Sequence, residues 1–278
     1  MSLLEIFDVA HGQCSLLTSS SGAHLLIDCG HNGGTGWRPS EMLRYRGIGH
    51  LDELIITNCD EDHVSDLPGV LNEVSVGILN RNPTVSGADL YRLKEQRGMG
   101  RGIAALADMT KDYGTAVSYW PDYDGMTYRQ FWNRYPDDFE DENNLSLVTV
   151  MRWPGYNRDT GFSILYAGDM ERAGWQALLR REDFRDEMRD ISVFVASHHG
   201  RLNGYCRELF EWTDLKPELF VISDCGIQYA TQETIALYRR HASGVDHNGQ
   251  YRRVITTRRD GYVSFRIGPD GASLWTAR

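Results

Sequence analysis

Three short polar clusters hold the side chains able to do chemistry in this chain. In Asn58-Cys59-Asp60-Glu61-Asp62-His63, residues Asp60, Asp62 and His63 offer oxygen and nitrogen donors from one tight turn. Such a turn suits a metal ion that takes several ligands from one segment. It also reads as a helix start, with Asp60 or Asp62 as N-cap and Glu61 complementing the dipole. Tyr166-Ala167-Gly168-Asp169 ends in a carboxylate that, taken alone, reads better as a helix cap. Ser197-His198-His199-Gly200 sets two imidazoles before a glycine, and imidazole is both the commonest metal ligand and the acid–base group of neutral pH. Together the clusters supply Asp, His, Asp and His, a ligand set for Zn²⁺ or Mn²⁺ with an open coordination position. Water on such an ion is acidified towards hydroxide, which is a hydrolytic nucleophile.

Each cluster follows a segment that patterns as a buried strand. Leu3–Val9, Cys14–Thr18, His24–Asp28 and Glu53–Thr57 are short apolar runs bounded by Gly, Ser or Asn, and the last leads straight into Asn58. Leu145–Arg152, Phe162–Ala167, Ile191–Ala196 and Leu219–Ser223 repeat the logic, and Arg253–Thr257, Tyr262–Ile267 and Ala272–Thr276 close the chain. Helical spacing marks Pro39–Arg46, Asp62–Val74, Glu171–Met188, Tyr205–Trp212 and Thr231–Ala242. Strands alternating with helices give an α/β fold, and polar residues at strand exits are where a rigid sheet holds reactive loops.

The stretch from about 80 to 142 differs and reads as an insertion within one domain spanning 1–278. Gly87–Tyr113 is expected as helix, Ala116–Trp120 as a strand, and Pro121–Glu142 as a loop with a short helix. Its aromatic residues, among them Tyr119, Trp120, Tyr123, Tyr128 and Trp132, could cover a site or merely elaborate the surface.

Composition limits the function classes. With 278 residues, 41% hydrophobic and 24% charged, the chain is an ordinary globular one, and no run approaches the ~18 apolar residues of a membrane helix. The opening MSLLEIFDVAHGQC has no basic n-region, so no secretory leader and no membrane partner are expected. The five cysteines, odd in number and without a CxxC pair, fit reduced thiols in a cytoplasm. A net charge of −10 argues against coating nucleic acid non-specifically, yet leaves room for a local basic groove.

The segments FDVAHGQCSLL, HLLIDCG, LIITNCDEDHVSDLPGV, ENNLSLV, ILYAGDM, SHHGRLN and VITTRRDGYVSFRI occur in an order that resembles the metallo-β-lactamase superfamily. Within it they are most similar to the hydrolase domain of bacterial competence proteins of the ComEC type. The resemblance implies a four-layer αβ/βα sandwich of two mostly antiparallel sheets with metals at its edge. It assigns Asp62 and His63 to one metal position, Asp169 as the bridging carboxylate, and His198, in preference to His199, as the remaining imidazole. Asp60 would serve a second position, Asp28 would orient the loop, and Asn143 or Asn144 falls where relatives carry a further histidine.

Three departures bear on this. Asn58 stands at the first motif histidine, Arg201 replaces the serine after the histidine pair, and Tyr229 is followed by Ala230-Thr231-Gln232 with no histidine. One firmly held Zn²⁺ or Mn²⁺ is therefore expected, with a second ion, at Asn58 and Asp60, weak or absent. The leading expectation is a phosphodiesterase or nuclease acting on nucleic acid or a nucleotide-like substrate. Asp60 or His199 would move the proton and Arg201 would clamp phosphate. The alternatives are a catalytically weakened binding or effector subunit of a multi-protein system, and a hydrolase of lactone, lactam or ester bonds.

Overall fold

Successive side chains of a strand point to opposite faces, and in the early strands both faces are apolar. The computed structural model, which describes residues 1–94, 98–156, 160–225 and 234–277, shows what each face meets. The first sheet contains β1 (Ser2–Ile6), β2 (Ser15–Thr18), β3 (His24–Ile27), β4 (His50–Ile55), β5 (Ser75–Asn80), β14 (Tyr262–Gly268) and β15 (Gly271–Ala277), in the order β15-β14-β1-β2-β3-β4-β5. The second contains β6 (Thr127–Phe131), β7 (Val148–Trp153), β8 (Phe162–Tyr166), β9 (Val193–Val195), β10 (Leu219–Ile222) and β13 (Val254–Thr256), in the order β13-β10-β9-β8-β7-β6. A small hairpin, β11 (Val245–His247) with β12 (Gln250–Arg252), lies apart.

Leu4, Leu17, Leu25 and Ile27 of the first sheet pack against Ile164, Val193, Val221 and Ile255 of the second, forming the central apolar layer. The opposite faces are covered by helices. Leu16, Leu26 and Leu54 meet α1 (Pro39–Tyr45), α3 (Leu67–Glu73) and α5 (Arg101–Asp112) through Leu43, Val70 and Leu106. Val150, Leu165 and Phe194 meet α6 (Arg172–Leu178), α7 (Glu182–Glu187), α8 (Arg207–Thr213) and α9 (Ile235–Arg239) through Trp175, Phe184, Phe210 and Tyr238. The result is the four-layer sandwich.

The sheets are not alike. In the first, only β3-β4 and β4-β5 pair in parallel. In the second, β8, β9, β10 and β13 are mutually parallel, where mostly antiparallel pairing was expected. Parallel neighbours need crossover connections, and α6, α7 and α8 supply those from β8 to β9 and β9 to β10. The consequence is positional. The C-terminal ends of β3, β4, β8, β9 and β10 gather at one edge.

Several boundaries shift. The helix expected over 62–74 is two, α2 (Glu61–Val64) and α3, because Pro68 at the start of α3 cannot continue a hydrogen-bonded helix from α2. The helix over 171–188 is likewise split into α6 and α7, each burying one aromatic, Trp175 and Phe184. Residues 116–120 are not a strand; the strand of this region is β6, which extends the second sheet beside β7. Between β5 and β6 lie α4 (Gly87–Lys94) and α5. The helix expected from Thr231 begins outside the described residues, as do Tyr229 and its neighbours. Among the described residues no helix is long and apolar enough to cross a membrane.

Candidate metal centre

Asp28, directly after β3, is fully buried and held at φ 56°. Its carboxylate accepts hydrogen bonds from the Thr57 backbone N–H (2.7 Å), from the Thr57 hydroxyl, and from His63 Nδ1 (2.9 Å). Two of these anchor the exit of β4, and the third fixes the ring of His63, so that Nε2 points at Asp169 Oδ1, 3.0 Å away. Gly12 and Gly30 make room for this loop: a Cβ on either would lie 2.3 or 2.1 Å from the Asp62 carbonyl oxygen. Ser146 then ties two clusters together, its hydroxyl accepting from the Asp169 backbone N–H and from the Asn58 amide, each at 3.0 Å.

The histidine pair follows β9. His198 (φ 49°) and His199 (φ 51°) are both left-handed, a region that costs non-glycine residues on the order of 1–3 kcal/mol each. That backbone turns the two rings apart. His199 Nε2 comes within 3.2 Å of Asp62 Oδ2 and 3.3 Å of Asp169 Oδ1. His198 stays on the rim, its Nε2 3.8 Å from Asp169 and accepting from Arg201 Nη1 at 3.1 Å.

Ligand atoms of Asp62, His63, Asp169 and His199 all lie within 4.8 Å of one another. Ligands at the ~2.0–2.2 Å typical of zinc stand about 3.4 Å apart around a tetrahedral ion, close to the 3.0–3.3 Å that separate the His63 and His199 nitrogens from their carboxylate neighbours. The buried His199 Nε2 makes no directed hydrogen bond despite two carboxylates at hand. A buried imidazole nitrogen that converges on two carboxylates without a directed bond to either fits a divalent cation. Asp62 is the exposed member, its side chain 35% accessible against 4% or less for the other three, so solvent reaches the cluster past it.

The electrostatics agree. Burial works against charge on His199, but Asp169 and Asp62 outweigh it and lift its pKa to about 9. Burial would raise Asp169, yet His199 and His63 hold it well below the ordinary range. Asp62 is lowered in the same way, against its own burial, by His199 and His63. His198 is pushed down by burial, with His199 and Arg201 adding to it. A cation binding here would displace protons from two imidazoles.

The residues singled out from the sequence thus separate. Asp62, His63 and Asp169 meet, and the nitrogen that joins them belongs to His199, not to the His198 preferred from its place beside the strand. The left-handed backbone of the pair is the reason, and no sequence rule gives it. Asp60 and Asn58, expected at a second metal position, turn away. Asp60 pairs with Lys94, while the Asn58 carbonyl accepts from the Asp60 N–H (2.7 Å). His199 is therefore placed as a candidate ligand rather than a free proton carrier, and Asp60 is committed elsewhere. Cys59 stays a thiol, its pKa pushed up to about 12 by burial. His31 bonds Ser65 and lies outside the cluster.

Two residues were not anticipated. The His11 ring lies 6.2 Å from that of His199. Asp224, following β10, is lifted to about 6 by burial against the pull of Arg258, whose Nη1 is 3.1 Å away, and of His199. Asp224 had a legible signal, since it stands at a strand exit like the other acidic residues. Of the aromatic residues between 80 and 142, Tyr123 and Tyr128 donate to the buried Glu53 carboxylate at 3.4 and 2.7 Å, Phe131 packs on Phe184, and Tyr119 and Trp120 are exposed.

Residues 8–85 match the sequence model of the metallo-beta-lactamase superfamily. No curated protein matches the chain. Among solved structures it is similar to CmlA, a diiron beta-hydroxylase from Streptomyces venezuelae, at 14% identity and a TM-score of 0.51 over 96% of this chain and 54% of that one. It is also similar to the metallo-beta-lactamase fold protein YhfI from Bacillus subtilis, at 9% identity and TM-score 0.47 over 98% and 99% of the two chains. A third is Igni18, a metallo hydrolase from Ignicoccus hospitalis, at 12% identity and TM-score 0.42 over 99% and 100%. Identities this low speak for fold alone. Residues 8–85 are thus similar in sequence to the metallo-beta-lactamase superfamily, and the sandwich built above is similar in fold to CmlA.

Proposed function

We propose that the protein is a metal-dependent hydrolase of phosphodiesters, working on nucleic acid or a nucleotide-like substrate with a single Zn²⁺ or Mn²⁺ at Asp62, His63, Asp169 and His199. The observation that carries this is the convergence of those four side chains at the sandwich edge. An ion held there supplies Lewis acidity and an acidified water. The rest falls to the chain's own residues.

Asp28 holds the His63 ring so that Nε2 faces the cluster, the role that a hydrogen-bonded carboxylate plays behind a ligating imidazole. Arg201, beside His198 on the rim, and Arg258, beside Asp224, are cations flanking the cluster, and guanidinium forks suit phosphate oxygens. Asp224, with its pKa near 6 and an oxygen, Oδ1, outside any hydrogen bond, is the best placed proton acceptor now that Asp60 is engaged. A cleft of about 420 Å³ lined by Phe7, Trp37, Tyr262, Asp8 and Arg258 reaches the residue paired with Asp224, Arg258, and offers aromatic faces for a base. Members of this superfamily are generally hydrolases, and the resemblance to the ComEC-type hydrolase domain favours nucleic acid. Five free thiols support a cytoplasmic setting.

The test is turnover of bis(p-nitrophenyl) phosphate, a single-stranded oligonucleotide and a chromogenic β-lactam by chelator-treated protein with Zn²⁺ or Mn²⁺ restored. Phosphodiester cleavage that requires the ion is expected, with an acidic limb near pH 6 that Asp224→Asn removes. Cleavage of the lactam alone would overturn the assignment. Bound metal without turnover on any substrate would favour a binding or effector subunit acting with a protein partner.

A further inference from the structure

The loop that carries Asp62 and His63 has a second side. Glu61 turns away from the cluster, and its carboxylate accepts from the Gly102 and Ile103 backbone N–H groups, at 3.0 and 3.2 Å, in the first turn of α5. Asp60 turns the same way and meets Lys94, the last residue of α4. The Lys94 ammonium also lies 2.9 Å from Glu142 Oε1. Lys94 is only 4% exposed and Glu142 only 5%. Asn58 closes the group, its amide donating to the Glu142 carbonyl at 3.3 Å and to the Ser146 hydroxyl.

A lysine buried this far is costly to charge unless its partners compensate it. Burial favours the neutral amine, but Asp60 and Glu142 hold Lys94 protonated, above the ordinary lysine value. Two carboxylates brought from residues 60 and 142 onto one ammionium from residue 94 constitute an oxygen-lined cation site with its cation already installed. Its floor is shared with the metal cluster: Ser146 touches both Asn58 and Asp169, and Asp60 and Asp62 come from one turn.

We infer that the Lys94 ammonium is a tethered cation filling the position beside the cluster that a second divalent ion would otherwise occupy, so that the centre exchanges one ion only. This rests on the one-ion hydrolase reading above and adds the reason for its stoichiometry. An ammonium neutralises charge through its N–H donors but offers no coordination position to a ligand atom, so it balances Asp60 and Glu142 without supplying Lewis acidity. Oxygen donors of this kind suit Mn²⁺ better than Zn²⁺ once the lysine is gone.

The experiment counts ions on the full chain by native mass spectrometry in micromolar to millimolar Mn²⁺ and in Zn²⁺, with thermal unfolding in parallel. Wild type should hold one ion, Lys94→Met two in Mn²⁺, and Lys94→Met with Asp60→Asn one again. Lys94→Arg, which keeps the charge, should hold one. Added Mn²⁺ should raise the Tm of Lys94→Met further than that of wild type. A wild type with two ions overturns the inference, as does Lys94→Met that folds and still holds one. A Lys94→Met chain that stays unfolded in millimolar Mn²⁺ overturns it too, because an ion able to replace the lysine would restore the charge balance. Wild type with no ion is a different failure, that of the metal centre itself.

Discussion

The two sides of the Asn58–His63 turn face different surroundings. On the inner side Asp62 and His63 meet Asp169 and His199, carboxylates against imidazoles, with a buried nitrogen that has neighbours but no directed bond. On the outer side Asn58, Asp60 and Glu61 each have partners, in Ser146, Lys94 and the start of α5. Both sides gather negative charge in a buried place, and they differ in how it is balanced. The outer side does so with a covalently tethered ammonium, while the inner side relies on protonated imidazoles that a metal ion can displace. A site for an exchangeable cation is therefore recognised less by its acidic residues than by a buried ligand nitrogen that meets carboxylates without a directed bond.

The largest expected effect tests the inner side. Asp169 contacts His63 and His199 directly, so Asp169→Ala should take the bound metal from one ion to none; an ion retained at full occupancy would mean that the cluster is not the centre. Acidity is next. His199, with its pKa near 9 against an ordinary 6.5, must lose a proton for an ion to bind, so metal affinity should climb as pH rises towards 9. The slope should be about tenfold per pH unit for each proton displaced. Chelator-treated protein should behave oppositely. The raised folded value stabilises it below pH 6.5, and that contribution is lost as pH rises through about 9. Parallel pH trends of metal affinity and apo-protein Tm would break the account.

Asp28→Asn should weaken metal binding by about 10–100-fold, the usual consequence of losing the carboxylate behind a ligating histidine, as read by competition with a fluorescent chelator. Unchanged affinity would mean that Thr57 alone orients the ring. The smallest effect belongs to the outer side. From sequence, Asn58→His restores a missing ligand and should recruit a second ion. With Lys94 on Asp60, it should add none, and a rise in ion count for this single variant would show that the lysine is no barrier.

The fold was legible early because alternation within strands and apolar spacing within helices are local properties. Leu16 against Leu17 already separates an outer from an inner face, and the polar exits of β4, β8 and β9 already mark the edge where chemistry sits. Pairing direction was not legible. Whether β9 lies parallel to β8 depends on how α6 and α7 cross over, which is a matter of chain path rather than of the strand's own residues.

The same division holds at the site. The sequence by itself determined which residue types would meet, since Asp62, His63, Asp169 and one of two adjacent histidines stand at strand exits whose order is fixed by the chain. Tertiary structure alone decided which histidine and which cation. A left-handed backbone at positions 198 and 199 sends one ring inward and the other to the rim. Lys94 gives no signal in sequence because it is an ordinary basic residue at a helix end. Only the path of the chain from β5 to β6 carries it to Asp60 and Glu142, where the cost of burying three charges is met by their mutual contact.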